Sequence, residues 1–120
     1  MVGSGVLAGW REGVRMPHYL IVGQHPPNLC PGANEAVRTL AVEGAGEMPA
    51  LAEKLGVKLL ATYVPMTNHH VFAAVEADDA DAVREFAWQG RLAQWNTVEI
   101  MQVSTLEEAL VRVQEMPAIY

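Results

Sequence analysis

Two side chains with metal-binding chemistry lie close together near the start of the sequence, His25 and Cys30. Imidazole nitrogen and thiolate sulfur are the usual ligands of zinc and copper in proteins. The intervening Pro26 and Pro27 fix their own backbone and hold the preceding residue extended. We therefore predict a zinc or copper site here, with a His25 nitrogen and the Cys30 sulfur within about 4 Å of each other, as shared tetrahedral coordination requires.

Other interpretations of these two residues stay open at this point. A lone cysteine is often a small buried hydrophobe, and a histidine at the end of a strand can bind a loop carbonyl. Two ligands also do not complete a metal site, so a third must come from elsewhere in the chain or from another subunit.

The adjacent pair His69 and His70 offers the next candidates. Neighbouring strand residues point to opposite faces, so only one of the two can join a given site. The face of His69 continues with Val71 and is the more apolar, which predicts that it lies under the helices. We therefore expect the His70 side chain to project from the uncovered face of the sheet and to be the third metal ligand.

Strand geometry constrains how His70 reaches the site. We expect the first and third strands to run parallel and side by side, so that His25 and His70 lie roughly 20 Å apart within one chain at about 3.3 Å per residue. A second subunit would then supply His70, with Glu76 or Glu99 as substitutes within the chain. On the same assumption Glu76, together with Trp95 and Asn96, should neighbour His25.

The remaining histidine, His18, stands at the start of the first predicted strand. The parallel arrangement places it near His69 or His70, and we expect it to be an exposed polar residue. The acidic stretch from Glu76 to Asp81 lacks the spacing and central glycine of a calcium loop. Helix capping explains that stretch better.

Hydrophobic periodicity gives the elements that would position these side chains. Strands are predicted over 18–25, 57–64, 69–77 and 97–103, and a loop over 91–96. Helices are predicted over 34–42 and 49–55, separated by Gly44 and Gly46, then from Asp78 as N-cap to Gly90, and after a capping box of Ser104 and Glu107. In the helices, Val37, Leu40, Ala41, Val83, Phe86 and Ala87 should face inward, with Val98 and Ile100 of the last strand.

This order of elements predicts an α+β, ferredoxin-like βαββαβ sandwich with an extra C-terminal helix. One helical layer covers only one face of a sheet. The other face, with Phe72 and Met101, would be an exposed apolar patch that monomers rarely tolerate. We therefore expect a homodimer or a higher homo-oligomer.

Composition narrows the class of protein further. The chain has 120 residues, a formal net charge of −6 and one cysteine, so we expect one domain, no intrachain disulfide, and no binding to nucleic acid or anionic membranes. No apolar run reaches the length of a membrane span, and the start does not resemble a secretory signal, so the expected location is cytoplasmic. We predict an N-terminal extension over 1–15, the domain over 16–116 and a tail over 117–120.

Several short segments carry a family resemblance. They are Gly-x-Lys-Leu-Leu at 56–60, a strand ending in Val-Glu-Ala-Asp at 75–78, Thr-x-Glu-Glu at 105–108, and a first strand ending in His25 followed by Cys30-Pro31. Together they resemble small bacterial members of the dimeric α+β barrel superfamily over residues 17–115. The resemblance implies a barrel formed by two subunits. It says little about chemistry, because this scaffold hosts monooxygenases, isomerases, haem proteins and many binders.

Three functions follow as hypotheses. The first is a metal- or small-ligand-binding protein that uses His25 and Cys30, with His70 supplied across the dimer. The second is a monooxygenase- or isomerase-like enzyme acting on a small organic molecule, with Cys30 or a histidine as nucleophile or general base. The third is an assembly module without a site.

Overall fold

Four strands and four helices follow one another along residues 16–120, the part of the chain that the computed structural model describes. They are β1 (His18–Gln24), α1 (Glu35–Leu55), β2 (Lys58–Tyr63), β3 (His70–Glu76), α2 (Ala80–Gln89), α3 (Leu92–Trp95), β4 (Thr97–Val103) and α4 (Leu106–Gln114). The extension predicted over 1–15 lies outside the described residues. The fold is therefore α+β, and its strands match the predicted ones to within a residue or two.

The strands form one sheet in the order β2-β3-β1-β4, with every neighbouring pair antiparallel. The expectation that β1 and β3 run parallel is wrong, because β3 follows β2 through a short turn and reverses direction. Gln24 pairs with His70 at one end, and His18 pairs with Glu76 at the other. The end of β1 and the start of β3 are thus neighbours. The expected separation of roughly 20 Å between His25 and His70 is therefore wrong.

One sheet face carries the core, as the alternation of side chains predicted. Ala73 and Val75 of β3 are buried together with Val83 and Phe86 of α2. Val37 of α1 is buried too, and the other apolar positions predicted to face inward, Leu40, Ala41, Ala87, Val98 and Ile100, are buried or half-buried on the same side. The opposite face keeps exposed apolar side chains, including Tyr63 and Met101.

Helix α1 is continuous, so the prediction that Gly44 and Gly46 divide it is wrong. A Cβ on Gly44 would lie 2.7 Å from the carbonyl oxygen of Gly90. Glycine is needed there for close packing of α1 against the end of α2. Pro49 lies inside the helix at a solvent-exposed position and does not end it, although proline cannot donate the backbone hydrogen bond.

Three features near the helix ends differ slightly from the predictions. Asp79, one residue after the predicted Asp78, caps α2, and its side chain accepts from the backbone N–H of Ala82. The capping box of α4 is Thr105 with Glu108, one residue beyond the predicted pair. The predicted loop before β4 contains α3, a short helix that positions Trp95.

Within residues 16–120, no helix combines the length and the apolar character that crossing a membrane requires. Helix α4 is instead amphipathic, and its apolar stripe of Leu106, Leu110 and Val113 is exposed. The outer sheet face and the stripe on α4 are therefore apolar surfaces that residues 16–120 leave uncovered.

Candidate metal centre

The antiparallel pairing of β1 with β3 brings a histidine from each strand end to one place. Beyond the last pair of the ladder, the backbone N–H of His25 donates to the carbonyl oxygen of His69 at 3.1 Å. Residues directly opposite each other on neighbouring strands share a face. Because Gly23 and Val71, two residues away on each strand, are paired on the core side, His25 and His69 both turn toward the helical side of the sheet.

Cys30 reaches the same place through a turn that the prolines fix. Residues Pro27–Leu29 form a single 3-10 turn, in which the backbone N–H of Cys30 donates to the carbonyl oxygen of Pro27 at 3.3 Å. The carbonyl oxygen of Cys30 then accepts from the backbone N–H groups of Ala33 and Asn34. The loop therefore holds the cysteine between a rigid turn and the beginning of α1.

The three side chains form a compact group of possible ligands. One ligand atom from each of His25, Cys30 and His69 lies within 4.8 Å of the other two. The structure therefore brings His25 and Cys30 together, within a limit of 4.8 Å rather than the predicted limit of about 4 Å. His25 is buried, at 6% exposure, whereas Cys30 and His69 are half-buried.

Asn96 fixes the orientation of the His25 ring. The Asn96 Nδ2 donates to the carbonyl oxygen of Leu92 at 3.0 Å, so its Oδ1 faces the imidazole. That oxygen lies 2.9 Å from His25 Nδ1. This network assigns the proton to Nδ1, which donates to Asn96 and leaves a lone pair on Nε2.

Two nitrogens of the group are buried and have no hydrogen-bond partner among the described residues: His25 Nε2 and His69 Nδ1. The two rings meet edge to face with their centroids 5.4 Å apart. A buried polar atom left unsatisfied costs about 1–3 kcal/mol. Such atoms are rare in native structures and call for a specific partner.

Trp95 closes one side of the group, with its ring centroid 5.1 Å from that of His25. Trp95 and Asn96 are therefore neighbours of His25, as predicted. Glu76 is not, and that expectation is wrong because antiparallel pairing places it at the far end of the sheet. There Glu76 Oε1 lies 2.8 Å from His18 Nε2, so the expectation that His18 neighbours His69 or His70 is wrong as well.

The structure groups His69, not the predicted His70, with the other two side chains. The His70 Nδ1 lies 3.0 Å from Asn68 Oδ1, and its ring stacks on Phe72 with centroids 5.8 Å apart. Neither Glu76 nor Glu99 belongs to the group found in the described residues. A third possible ligand therefore lies in the same chain, and the antiparallel pairing of β1 with β3 is the signal that identifies it.

An open cleft of about 530 Å³ adjoins the group at this end of the sheet. His25 and His69 line it, and the other residues that line it are Gln24, Pro26, Pro27, Asn68, His70 and Thr97. Cys30 does not line the cleft. The arrangement provides two imidazoles and a thiol that can converge on one ion, and the nitrogens His25 Nε2 and His69 Nδ1 are themselves buried.

Comparison with known proteins gives a family but no chemistry. The family described as "Domain of unknown function (DUF3303)" matches residues 18–116, which contain every side chain of the candidate centre. No curated protein matches the sequence.

Proposed function

This chain belongs to the family of domains of unknown function DUF3303, and we propose that it binds a transition-metal ion, zinc or copper, through His25, Cys30 and His69. The observation that carries the proposal is the pair of buried, unpartnered imidazole nitrogens, His25 Nε2 and His69 Nδ1. Both belong to the group that includes Cys30, the only cysteine of the sequence. A bound ion would give each nitrogen the partner that the described chain does not supply.

The donor set decides which metals suit the site. Two imidazoles and a thiolate favour zinc and copper, whereas magnesium and calcium prefer oxygen ligands. Ligand atoms sharing one tetrahedral ion lie about 3.3–3.8 Å apart at bond lengths of about 2.0–2.3 Å. The group lies within 4.8 Å, so small side-chain rotations bring its atoms to that spacing.

The hydrogen bond from His25 to Asn96 supports the same proposal. Histidines that bind metals usually donate their second ring N–H to an oxygen, which fixes the ring and the tautomer. The 2.9 Å contact between His25 Nδ1 and Asn96 Oδ1 meets this requirement, and it directs the lone pair of Nε2 away from Asn96. The hydrogen bond to Asn96 therefore already holds the His25 ring in one orientation and leaves Nε2 free to bind an ion.

Metal analysis of protein purified without an affinity tag tests the proposal. We expect about one equivalent of zinc or copper per chain, lost on His25→Ala, Cys30→Ala or His69→Ala. The matched control is His70→Ala, which changes the adjacent histidine and should keep the metal. Wild-type protein that stays metal-free after incubation with both ions contradicts the proposal. Metal loss on His70→Ala with retention on His69→Ala would restore the ligand predicted from sequence.

We further propose that two copies of the chain pack sheet to sheet, in the ferredoxin-like, dimeric α+β barrel arrangement that the sequence resembles. The support is the uncovered face, on which Tyr63 is 70% exposed and Met101 38% exposed. The strand register places Phe72 on the same face, directly opposite Tyr63. A contiguous apolar patch of this kind usually marks an interface.

Light scattering tests the assembly. We expect a dimer at micromolar concentration that dissociates on Met101→Asp, because the substitution buries an unpaired charge in the interface. The control Val42→Asp changes an exposed position of α1 and should remain dimeric. A wild-type monomer contradicts the proposal.

A further inference from the structure

The candidate metal centre contains three donor side chains and, among residues 16–120, no fourth. One atom each of His25, Cys30 and His69 lies within 4.8 Å of the other two, and no further histidine, cysteine, aspartate or glutamate of the described chain joins them. Two of the nitrogens, His25 Nε2 and His69 Nδ1, are buried. The donor set is therefore two imidazoles and one thiolate, without a carboxylate or a third imidazole to complete a tetrahedron.

This donor set suits copper better than zinc. Structural zinc sites use four protein ligands, and catalytic zinc sites use three together with an open position for water. Two imidazoles and one thiolate in a trigonal arrangement, with at most a weak axial ligand, are instead the donor set of copper sites that transfer electrons. Bond angles of about 120° put such donors about 3.5–4.0 Å apart at bond lengths of about 2.0–2.3 Å, which lies within the 4.8 Å limit of the group.

The surroundings of the centre favour the reduced state of copper. Copper(II) with one thiolate has a net charge of about +1, whereas copper(I) with one thiolate is neutral. Trp95 is 7% exposed, and its ring centroid lies 5.1 Å from that of His25. Leu29, next to Cys30, and Val71 pack against the core as well. An apolar shell disfavours the charged state, and it therefore raises the reduction potential of the ion.

The donors are held by contacts that do not depend on the ion. The backbone N–H of His25 donates to the carbonyl oxygen of His69 at 3.1 Å, and Asn96 Oδ1 lies 2.9 Å from His25 Nδ1. The 3-10 turn Pro27–Leu29 precedes Cys30, whose carbonyl oxygen accepts two backbone hydrogen bonds. Contacts that keep the ligands in place in both oxidation states favour rapid electron transfer, because little has to move when the charge of the ion changes.

From these observations we propose that the centre is a copper electron-transfer site, in which His25, Cys30 and His69 hold the ion in a trigonal arrangement. This inference rests on the proposed metal site and names its metal and its activity. Copper(II) takes one electron from a one-electron donor and becomes copper(I), which passes that electron to an acceptor. The thiolate and both imidazoles stay bound throughout, so no bond breaks and no proton is released. Cys30 and His69 are half-buried, which places the ion near a surface that a redox partner can approach.

Copper loading of the full chain tests the proposal. Addition of about one equivalent of copper(II) to metal-free protein should produce an intense visible band, from charge transfer between the Cys30 sulfur and copper. Ascorbate should bleach the band and ferricyanide should restore it, with one electron per copper. Cys30→Ser should lose the band altogether, whereas the matched control His70→Ala should keep it in full.

The outcomes separate this inference from the proposal it rests on. Failure of both zinc and copper to bind overturns the metal site itself. Zinc binding that depends on all three ligands, together with copper(II) that shows only the weak absorption of nitrogen and oxygen donors, leaves the metal site standing and overturns the electron-transfer centre. Bleaching that ferricyanide does not reverse shows that copper(II) has oxidised the thiolate, which overturns reversible electron transfer.

Discussion

The two ends of the paired strands β1 and β3 each bring a histidine of the first strand against a residue of the third. At one end, His18 Nε2 lies 2.8 Å from Glu76 Oε1, and the two side chains are 16% and 20% exposed. At the other end, His25 lies against His69, and each has a buried nitrogen without a partner among the described residues. The same strand pairing thus produces a satisfied polar pair and an unsatisfied one.

The difference separates a histidine that the fold satisfies from a histidine that is a candidate ligand. A carboxylate gives the imidazole of His18 a partner within the fold, so that end is complete as it stands. The environment of His25 instead satisfies Nδ1 through Asn96 and leaves Nε2 buried beside a thiol. Burial without a partner is costly, and a metal ion would remove that cost.

The largest expected effect is on metal-dependent stability. An ion present at about 100 times its Kd stabilises the folded state by about 2.7 kcal/mol, which raises Tm by roughly 10 °C in a domain of this size. Cys30→Ala should abolish the increase while leaving the Tm of metal-free protein nearly unchanged. His18→Ala should keep the full increase. Thermal unfolding with and without zinc measures both, and an equal gain in the Cys30 variant contradicts the assigned ligand.

A smaller effect, on zinc affinity, is expected from replacing Asn96, because Asn96 orients the proposed ligand His25. Replacing a residue that orients a ligand costs about 10–100-fold in metal affinity, and we expect this loss for Asn96→Leu. Isothermal titration with zinc measures it. The complementary change at the other end of the strand pair, where His18 meets Glu76, is Glu76→Gln, and it should leave zinc affinity unaltered. Unchanged affinity in the Asn96 variant would show that packing against Trp95 alone orients the ring.

Sequence reasoning found the two strand ends but paired them incorrectly. The alternation of apolar residues placed Val75 and Val98 on the core face, and the limits of β4 were predicted as they are found. The pairing of β1 with β3 was predicted as parallel, whereas it is antiparallel. That error exchanged the neighbours of His18 and His25. His70 was selected in place of His69 for another reason, since the site was expected on the uncovered face of the sheet, whereas the group contains the core-side His69.

The continuity of α1 was not predicted, for a different reason. Gly44 resembles a helix-breaking residue in the sequence, but its role is a close approach to Gly90, 46 positions later in the chain. Only the packing of α1 against α2 distinguishes the two roles. The proline turn before Cys30, by contrast, was predictable, because its geometry is set by neighbouring residues.

Substitution of Gly23 is a milder way to disturb the proposed metal centre. A Cβ at this position would lie 3.0 Å from Asn96 Cγ and 3.1 Å from its Oδ1. Gly23→Ala should therefore shift Asn96 and weaken zinc binding by up to about tenfold, the lower end of the range for an orienting residue. Gly46→Ala is the control, because its Cβ meets nothing within 4 Å. Equal zinc affinity in both variants would show that Asn96 can move without loss of His25 orientation.

The smallest expected effect is on the free energy of unfolding, at the end of β1 where His18 meets Glu76. His18→Ala removes a half-buried hydrogen bond to Glu76 and should lower the free energy of unfolding by about 1 kcal/mol. Glu76→Gln should cost less, because an amide oxygen can still accept from the imidazole. Denaturant unfolding of the metal-free proteins measures both losses. Zinc affinity should be the same in the two variants as in the wild type, since this pair lies at the opposite end of β1 from His25. A loss of zinc affinity on His18→Ala comparable to that on His25→Ala would show that the two ends are coupled, and the distinction between them would fail.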